Sequence, residues 1–469
     1  MKTARATVLL VIAEGVFTLS GYIVSAALGR ILGVADYGRY ALVISLTTLV
    51  TVLAGRAIPT AMARYLGRSV AARRSIVRMA AILQGGFILF LTTAFYFSAP
   101  LIARGLGDDS LRPLLHTSAL IIPAFALSSF HVSYFNGLKH FGAQAILKIS
   151  RGIFRGIWII TLGALFGVVG AISGAIIAPL SVAVIAQIID RVTTPLANSG
   201  TESFPARTLL RYAASFAVFT AVYELYLRTD IYLIKAMIGQ DSAVGLYSAA
   251  MTVAMIPYYL STAVALMLFP TIATADAKRR GNVLTHVLQL LAVILPGSAL
   301  LMALYATPLL TLLFGSSFSD GAPLLVALLP GMIFGTLFYV LSAALNAADA
   351  MRVTSTLTLL GIAIIVTANS LFLKDGGTIV AAIAFSGSGI FLGVCALLAV
   401  RVLFSAQLPY STLVRCIPAA LATVATSHAL DTMGVPPLVA LIIATAVYGL
   451  GCMITRAVPL SLLRLRHSS

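Results

Sequence analysis

Lys148, Arg151 and Arg155 lie within "LKISRGIFRGIWII", residues 147–160, a stretch otherwise almost wholly apolar. Steps of three and then four residues put all three on one face of a helix. Seven residues of helix rise about 10 Å, so the row forms a ladder of positive charge. Arginine offers a planar fork that grips oxyanions two oxygens at a time, and lysine adds a point charge. Such a ladder suits a multivalent anion. Its plainer role is snorkelling, with Lys148 and Arg151 reaching back to a headgroup boundary. Arg155 lies deepest and fits that role least.

Few other ionisable residues sit within apolar stretches: Arg56 and Arg228 among cations, and Glu14, Glu224 and Asp230 among acids. Glu224 and Arg228 stand at i, i+4 and suit a local ion pair. Glu14 and Asp230 are candidates for a proton or sodium site, or for neutralising an arginine. The six histidines form no ligand pair, and Cys395, Cys416 and Cys452 stand singly as small core-filling residues. No metal, cofactor or catalytic residue is expected. No Walker loop is present, so ATP is not expected as the direct energy source.

The elements that must carry these residues follow from composition. Of 469 residues, 60% are hydrophobic and 10% charged, and mean hydropathy is +1.03. Soluble domains carry about a quarter charged residues, so this composition predicts an all-α integral membrane protein. A hydrocarbon core of about 30 Å takes roughly 20 apolar residues per helix, and on that ruler the chain holds fourteen spans. Lys2 and Arg5 precede an apolar run as in a signal peptide, but Glu14 interrupts it and a retained first helix fits better.

Most of the 31 Lys and Arg fall beside turns on the side of the N-terminus, as in "ARYLGRSVAARRSIVR", "AKRRGN" and "LLRLRH". Arg30, Arg39, Arg104, Arg112, Lys235 and Lys374 fall on the other side. By the positive-inside rule both termini are cytoplasmic, in a multi-pass protein of the cytoplasmic (inner) membrane. The same placement accounts for the net charge of +17 without nucleic acid.

An internal repeat is legible. Gly38–Tyr40 opens the second span and Gly245–Tyr247 the eighth, each after an acidic turn. Asn136 and Asn346 end the fourth and tenth spans, and "GVVGAI" at 167 and "GTIVAAI" at 377 share their offset of 210 residues. The expected organisation is a six-helix lobe over 1–190, a cytoplasmic linker over 191–207, a second six-helix lobe over 208–405, and two further helices with a tail over 406–469. Repeats of one topology are related by an axis along the membrane normal, with substrate sites at the repeat interface. At the 210-residue offset, Lys148, Arg151 and Arg155 become Thr358, Gly361 and Ile365. A cation row required by the fold should occur in both repeats, and it occurs in one.

The stretch "ALGRILGVADYGRYALVISLTTLVTVLAGRAIPTAMARYLG", with "YLRTDIYLIKAMIGQDSAVGLYSAA" in the second repeat, resembles the oligosaccharide flippases. These belong to the multidrug/oligosaccharidyl-lipid/polysaccharide exporter superfamily and translocate polyprenyl-linked sugars. The resemblance implies two pseudo-symmetric six-helix bundles around a central cavity that opens alternately to each face. It implies a lipid-linked oligosaccharide as substrate in a membrane lipid environment, while H+ or Na+ as a coupling ion rests on the embedded acids Glu14 and Asp230. A monomer is expected, in association with polysaccharide assembly proteins. The row at 148–155 would hold a pyrophosphate and the first sugar, with Arg56 and Arg228 completing a basic cavity. A multidrug or metabolite cation antiporter of the same superfamily is the alternative, and its cavity should be dominated by carboxylates. A polyprenyl-sugar glycosyltransferase or polymerase ranks lower, because such enzymes need acidic residues on sizeable loops and the chain has only 14 Asp and Glu.

Overall fold

The computed structural model describes residues 2–193, 202, 204–274, 276–348 and 350–457. Most of the linker expected over 191–207, and the basic "LLRLRH" near the C-terminus, lie outside these residues. Among the described residues all regular structure is helical. The chain divides into two compact units, residues 1–248 and 249–469.

The first unit holds α1 (Lys2–Leu66), α2 (Arg73–Gly105), α3 (Leu111–Ser118), α4 (Ile121–Gly137), α5 (Phe141–Thr193), α6 (Ala206–Tyr226), α7 (Thr229–Ile238) and the start of α8 (Asp241–Ala254). A straight helix as long as α5 would run about 80 Å, more than twice the hydrocarbon core. It instead breaks at Gly167 and doubles back, with Gly163 against Ala171 and Gly174 against the Trp158 backbone. Likewise α1 breaks at Gly33. Large apolar side chains near one end, including Met62, Leu66, Ile76, Phe135 and Leu147, lock α1, α2, α4 and α5 together.

The second unit continues with α9 (Ile256–Thr274), α10 (Ala277–Leu304), α11 (Ala306–Phe314), α12 (Ala322–Ala347), α13 (Met351–Gly376), α14 (Thr378–Phe404), α15 (Tyr410–Thr432) and α16 (Pro437–Ile454). The last two helices pack through Cys416, Ala419, Tyr448 and Cys452, and the Tyr448 hydroxyl donates to the Val293 carbonyl of α10. Among the described residues eleven helices are long and apolar enough to cross a membrane. Counting α1 and α5 as two spans each, and adding the broken pair α6–α7, gives the fourteen that the sequence predicts.

The repeat is visible in backbone geometry. Gly167 (φ 61, ψ −143) and Gly377 (φ 67, ψ −167) stand 210 residues apart, each at the turn into the following span. That positive φ is strained for any residue with a Cβ, which is why both positions hold glycine. A groove lined by Tyr96, His116 and Leu120 in the first unit recurs 207 residues on at Ala303, Pro323 and Ala327 in the second.

Candidate functional site

The first limb of α5 carries the cation row and lies on α1. Gly152 permits this approach: a Cβ there would sit 3.2 Å from the Val16 carbonyl oxygen. The neighbouring cations are thereby set beside α1, and each meets a different environment.

Lys148 pairs with Glu14, its Nζ donating to Oε2 at 2.6 Å, and both side chains are partly open. Arg151 turns toward α4. Its Nη2 donates to the hydroxyls of Ser128 (2.9 Å) and Ser129 (3.3 Å), and its guanidinium lies 5.0 Å from the Phe125 ring centroid. The Arg151 Nε finds no acceptor among the described residues. Arg155 faces Gly21 and Phe17: its Nη1 is 3.1 Å from where a Cβ on Gly21 would stand, and its guanidinium is 5.8 Å from the Phe17 ring. Among the described residues no carboxylate pairs with Arg155.

Arg56 joins this group through α4. The bare Cα of Gly55 lets Phe125 and Ser129 close to 2.6 and 3.1 Å of its absent Cβ, and Arg56 next to it is exposed. Arg151 therefore sits in the electrostatic field of both Arg56 and Glu14. Among the described residues the four cations Arg56, Lys148, Arg151 and Arg155 thus have one ion pair to a carboxylate, that of Lys148 with Glu14. A surplus of positive charge within apolar helices is costly unless it faces a cavity or a partner.

The second repeat closes the same face. Thr358 and Ile365 are fully buried, and the Ser388 hydroxyl of α14 donates to the Gly361 carbonyl at 2.8 Å. The equivalent positions of the first repeat are instead charged and half-open. The asymmetry seen in the sequence is therefore also one of packing.

The remaining embedded charges lie around the break between α6 and α7. Arg228 stands at the break with its Nε 3.6 Å from Glu224 Oε2, an ion pair within one turn. Asp230, wholly buried in the first turn of α7, accepts from its own neighbour, the Ile231 N–H (2.8 Å), and from the Tyr247 hydroxyl. A carboxylate at a helix N-terminus gains from the dipole and from free N–H donors. Glu14 and Asp230 thus have separate partners, and Arg228 is held by Glu224. Among the described residues no three His, Cys, Asp or Glu side chains gather as a metal site.

Ser128, Ser129, Phe125, Phe17 and Gly21 escape a reading that follows only charge. For Phe125, Ser128 and Ser129 the signal is the run "FALSSF" with its two adjacent hydroxyls, legible only once α4 is known to lie beside α5, while Phe17 and Gly21 come from α1.

The family described as polysaccharide biosynthesis protein matches residues 4–275. No curated protein matches significantly. Among solved structures, the lipid II flippase MurJ in an inward closed conformation is similar over 98% of this chain and 99% of its own, at 14% identity and a TM-score of 0.77. An inward-facing multidrug resistance MATE family transporter of the MOP superfamily is similar over 85% of this chain and 98% of its own, at 14% identity and a TM-score of 0.68. The Vibrio cholerae MATE transporter VcmN has 16% identity, the same coverages and a TM-score of 0.63. At these identities the likeness is one of fold.

Proposed function

The chain belongs to the polysaccharide biosynthesis protein family, and from that premise we propose that it is a flippase for a polyprenyl-(pyro)phosphate-linked oligosaccharide. In this reading it moves the sugar headgroup across the cytoplasmic membrane by alternating access, for cell-surface polysaccharide assembly. Both termini face the cytoplasm, as the distribution of Lys and Arg supports. The chain acts as a monomer, alongside the proteins that build and export the glycan, and a proton or sodium gradient drives the cycle.

One observation carries the substrate class: Arg155 has no carboxylate partner among the described residues, while Lys148 has Glu14 and Arg151 has two hydroxyls. A free guanidinium inside apolar helices calls for an anion. A diphosphate diester brings two negative charges, which Arg155 and Arg56 can meet directly. Lys148 can shift between Glu14 and the substrate at little cost, because partly exposed pairs are worth about 0–1 kcal/mol. Arg151, anchored by Ser128 and Ser129, supplies fixed positive potential.

A second reading, export of an organic cation, draws on one observation: Asp230 is an embedded carboxylate with no cation bonded to it among the described residues, as a cation carrier would need. The balance of charge in the α1–α5 group favours the anion. Proteoliposomes distinguish the two. Purified protein should move a fluorescent polyprenyl-diphosphate oligosaccharide between leaflets and leave a cationic dye unmoved. Dye export without lipid movement would reverse the assignment.

A further inference from the structure

Val34 and Gly38 begin the second limb of α1, and Asp241 and Gly245 begin α8, each pair 207 residues from the other. These two beginnings touch reciprocally. A Cβ on Gly38 would lie 2.1 Å from the Asp241 carbonyl oxygen, and a Cβ on Gly245 would lie 2.0 Å from the Val34 carbonyl oxygen. Each repeat thus offers its glycine to the carbonyl four residues before the other's glycine. Self-complementary contact of this kind is what a two-fold axis produces.

The charge around this contact is not symmetric. At the same offset, Asp241 corresponds to Val34, Arg39 to Leu246 and Lys235 to Leu28. Lys235 is 2% exposed, and its Nζ donates to Asp108 (2.7 Å), Asp241 (2.6 Å) and the Gly239 carbonyl (3.2 Å). Arg39 Nε donates to the other oxygen of Asp241 at 2.6 Å, and its Nη1 lies 3.4 Å from Asp36. Two cations and three carboxylates therefore tie together α1, the α2–α3 turn, α7 and α8. All lie at turns following the first, third and seventh spans, on the membrane face opposite the N-terminus.

The cluster also abuts the functional charges. Two residues beyond each glycine stands a repeat-related tyrosine: Tyr40 lies in the field of Arg155, and Tyr247 donates to Asp230. A movement that separates the glycines must therefore move both tyrosines.

We propose that the Gly38–Gly245 contact is a gate on the face opposite the termini, and that Lys235, held between Asp108 and Asp241, is its ionic lock. The proposal rests on the reading of the chain as a transporter, though on no particular substrate. The glycines set how closely the helices can meet; the charges set how readily they part. A buried ion cluster is suited to this task, since its attraction is largely offset by desolvation and water can replace it when the contact opens. Removing one partner leaves a buried carboxylate uncompensated, which favours the parted state.

The test uses Val244, fully buried beside Gly245. Val244→Cys is made in a chain whose Cys395, Cys416 and Cys452 are replaced by Ala, and a membrane-impermeant maleimide is added outside intact cells. Lys235→Met should raise the labelling rate at least about tenfold, the effect of breaking a buried pair from one side. Gly245→Ala, which forces a Cβ into the Val34 carbonyl with all charges kept, should raise it too. An increase in Gly245→Ala alone would refute the ionic lock. No increase in either variant would refute the gate. If Lys235→Met does not reach the membrane, Asp241→Asn, which breaks the cluster from the carboxylate side by taking one partner from both Lys235 and Arg39, is read the same way. Arg155→Ala leaves the labelling assay usable, so failure of the substrate reading and failure of the lock are separable.

Discussion

The Arg155 guanidinium lies 3.1 Å from the point where a side chain on Gly21 would begin. The absence of that side chain makes the space in which the guanidinium rests on the Phe17 face of α1. Gly21→Ala pushes only on the flexible end of Arg155 and should change transport less than about threefold, since such an end can shift at small cost. Gly21→Leu fills the space, and its transport should fall nearly to that of Arg155→Ala. The double variant Gly21→Leu, Arg155→Ala should then be no worse than either single one, a non-additivity measured in a double-mutant cycle of transport rates.

Among the described residues Arg151 donates its hydrogen bonds to hydroxyls alone. Replacing Ser128 and Ser129 together by Ala leaves a buried guanidinium with the Phe125 ring and unmet donors. Each lost bond to a charged group costs about 1.5–3 kcal/mol, so the melting temperature of the purified protein should fall by several degrees. Arg151→Met, which removes the charge with the hydroxyls kept, should cost less stability than the double serine variant and still lower transport.

Glu14 and Lys148 form a partly open pair. Glu14→Gln should lower stability by less than about 1 kcal/mol, and by freeing Lys148 it should tighten binding of an anionic headgroup. Binding of the fluorescent lipid-linked sugar, titrated at low and high salt, reads this directly. A loss of affinity would show that Glu14 serves the substrate itself.

Acid should weaken the Lys235 cluster in a defined window. Partial burial raises the Asp108 carboxyl, but bonds from Lys235 and Ser110 and the Lys235 charge outweigh it, and the net shift is downward. A carboxyl lowered in the folded state adds stability above its unfolded value, about 4, and that stability is lost as pH falls through the folded value. The groups facing it are Lys235 and Ser110, with Asp241, Arg39 and Asp36 beyond. Between pH 5 and 8 Asp108 should therefore contribute no pH dependence to the melting temperature. Below about pH 4 the wild type should lose stability more steeply than Asp108→Asn.

The fold was legible because lipid imposes span length and charge asymmetry on the sequence. The repeat was legible through Gly167 and Gly377, whose backbone demands a residue without Cβ. The cation row was visible from spacing along one helix. What it faces was not, because Ser128, Ser129, Gly21 and Phe17 come from other helices, and one unaligned sequence does not specify interhelical contacts. Lys235 shows the same limit. In sequence it is one of a few cations on the less basic side, while in the structure it is a buried hub whose partners stand 127 and 6 residues away.

The central claim is that Arg155 holds the anionic headgroup of the carried lipid. The most direct measurement is delivery of lipid-linked sugar to the outer leaflet by Arg155→Ala, normalised to the amount of protein in the membrane. The account predicts a loss of at least about tenfold, with partial recovery in Arg155→Lys, because lysine keeps the charge and loses the bidentate fork. Unchanged delivery by Arg155→Ala at normal protein levels would contradict it.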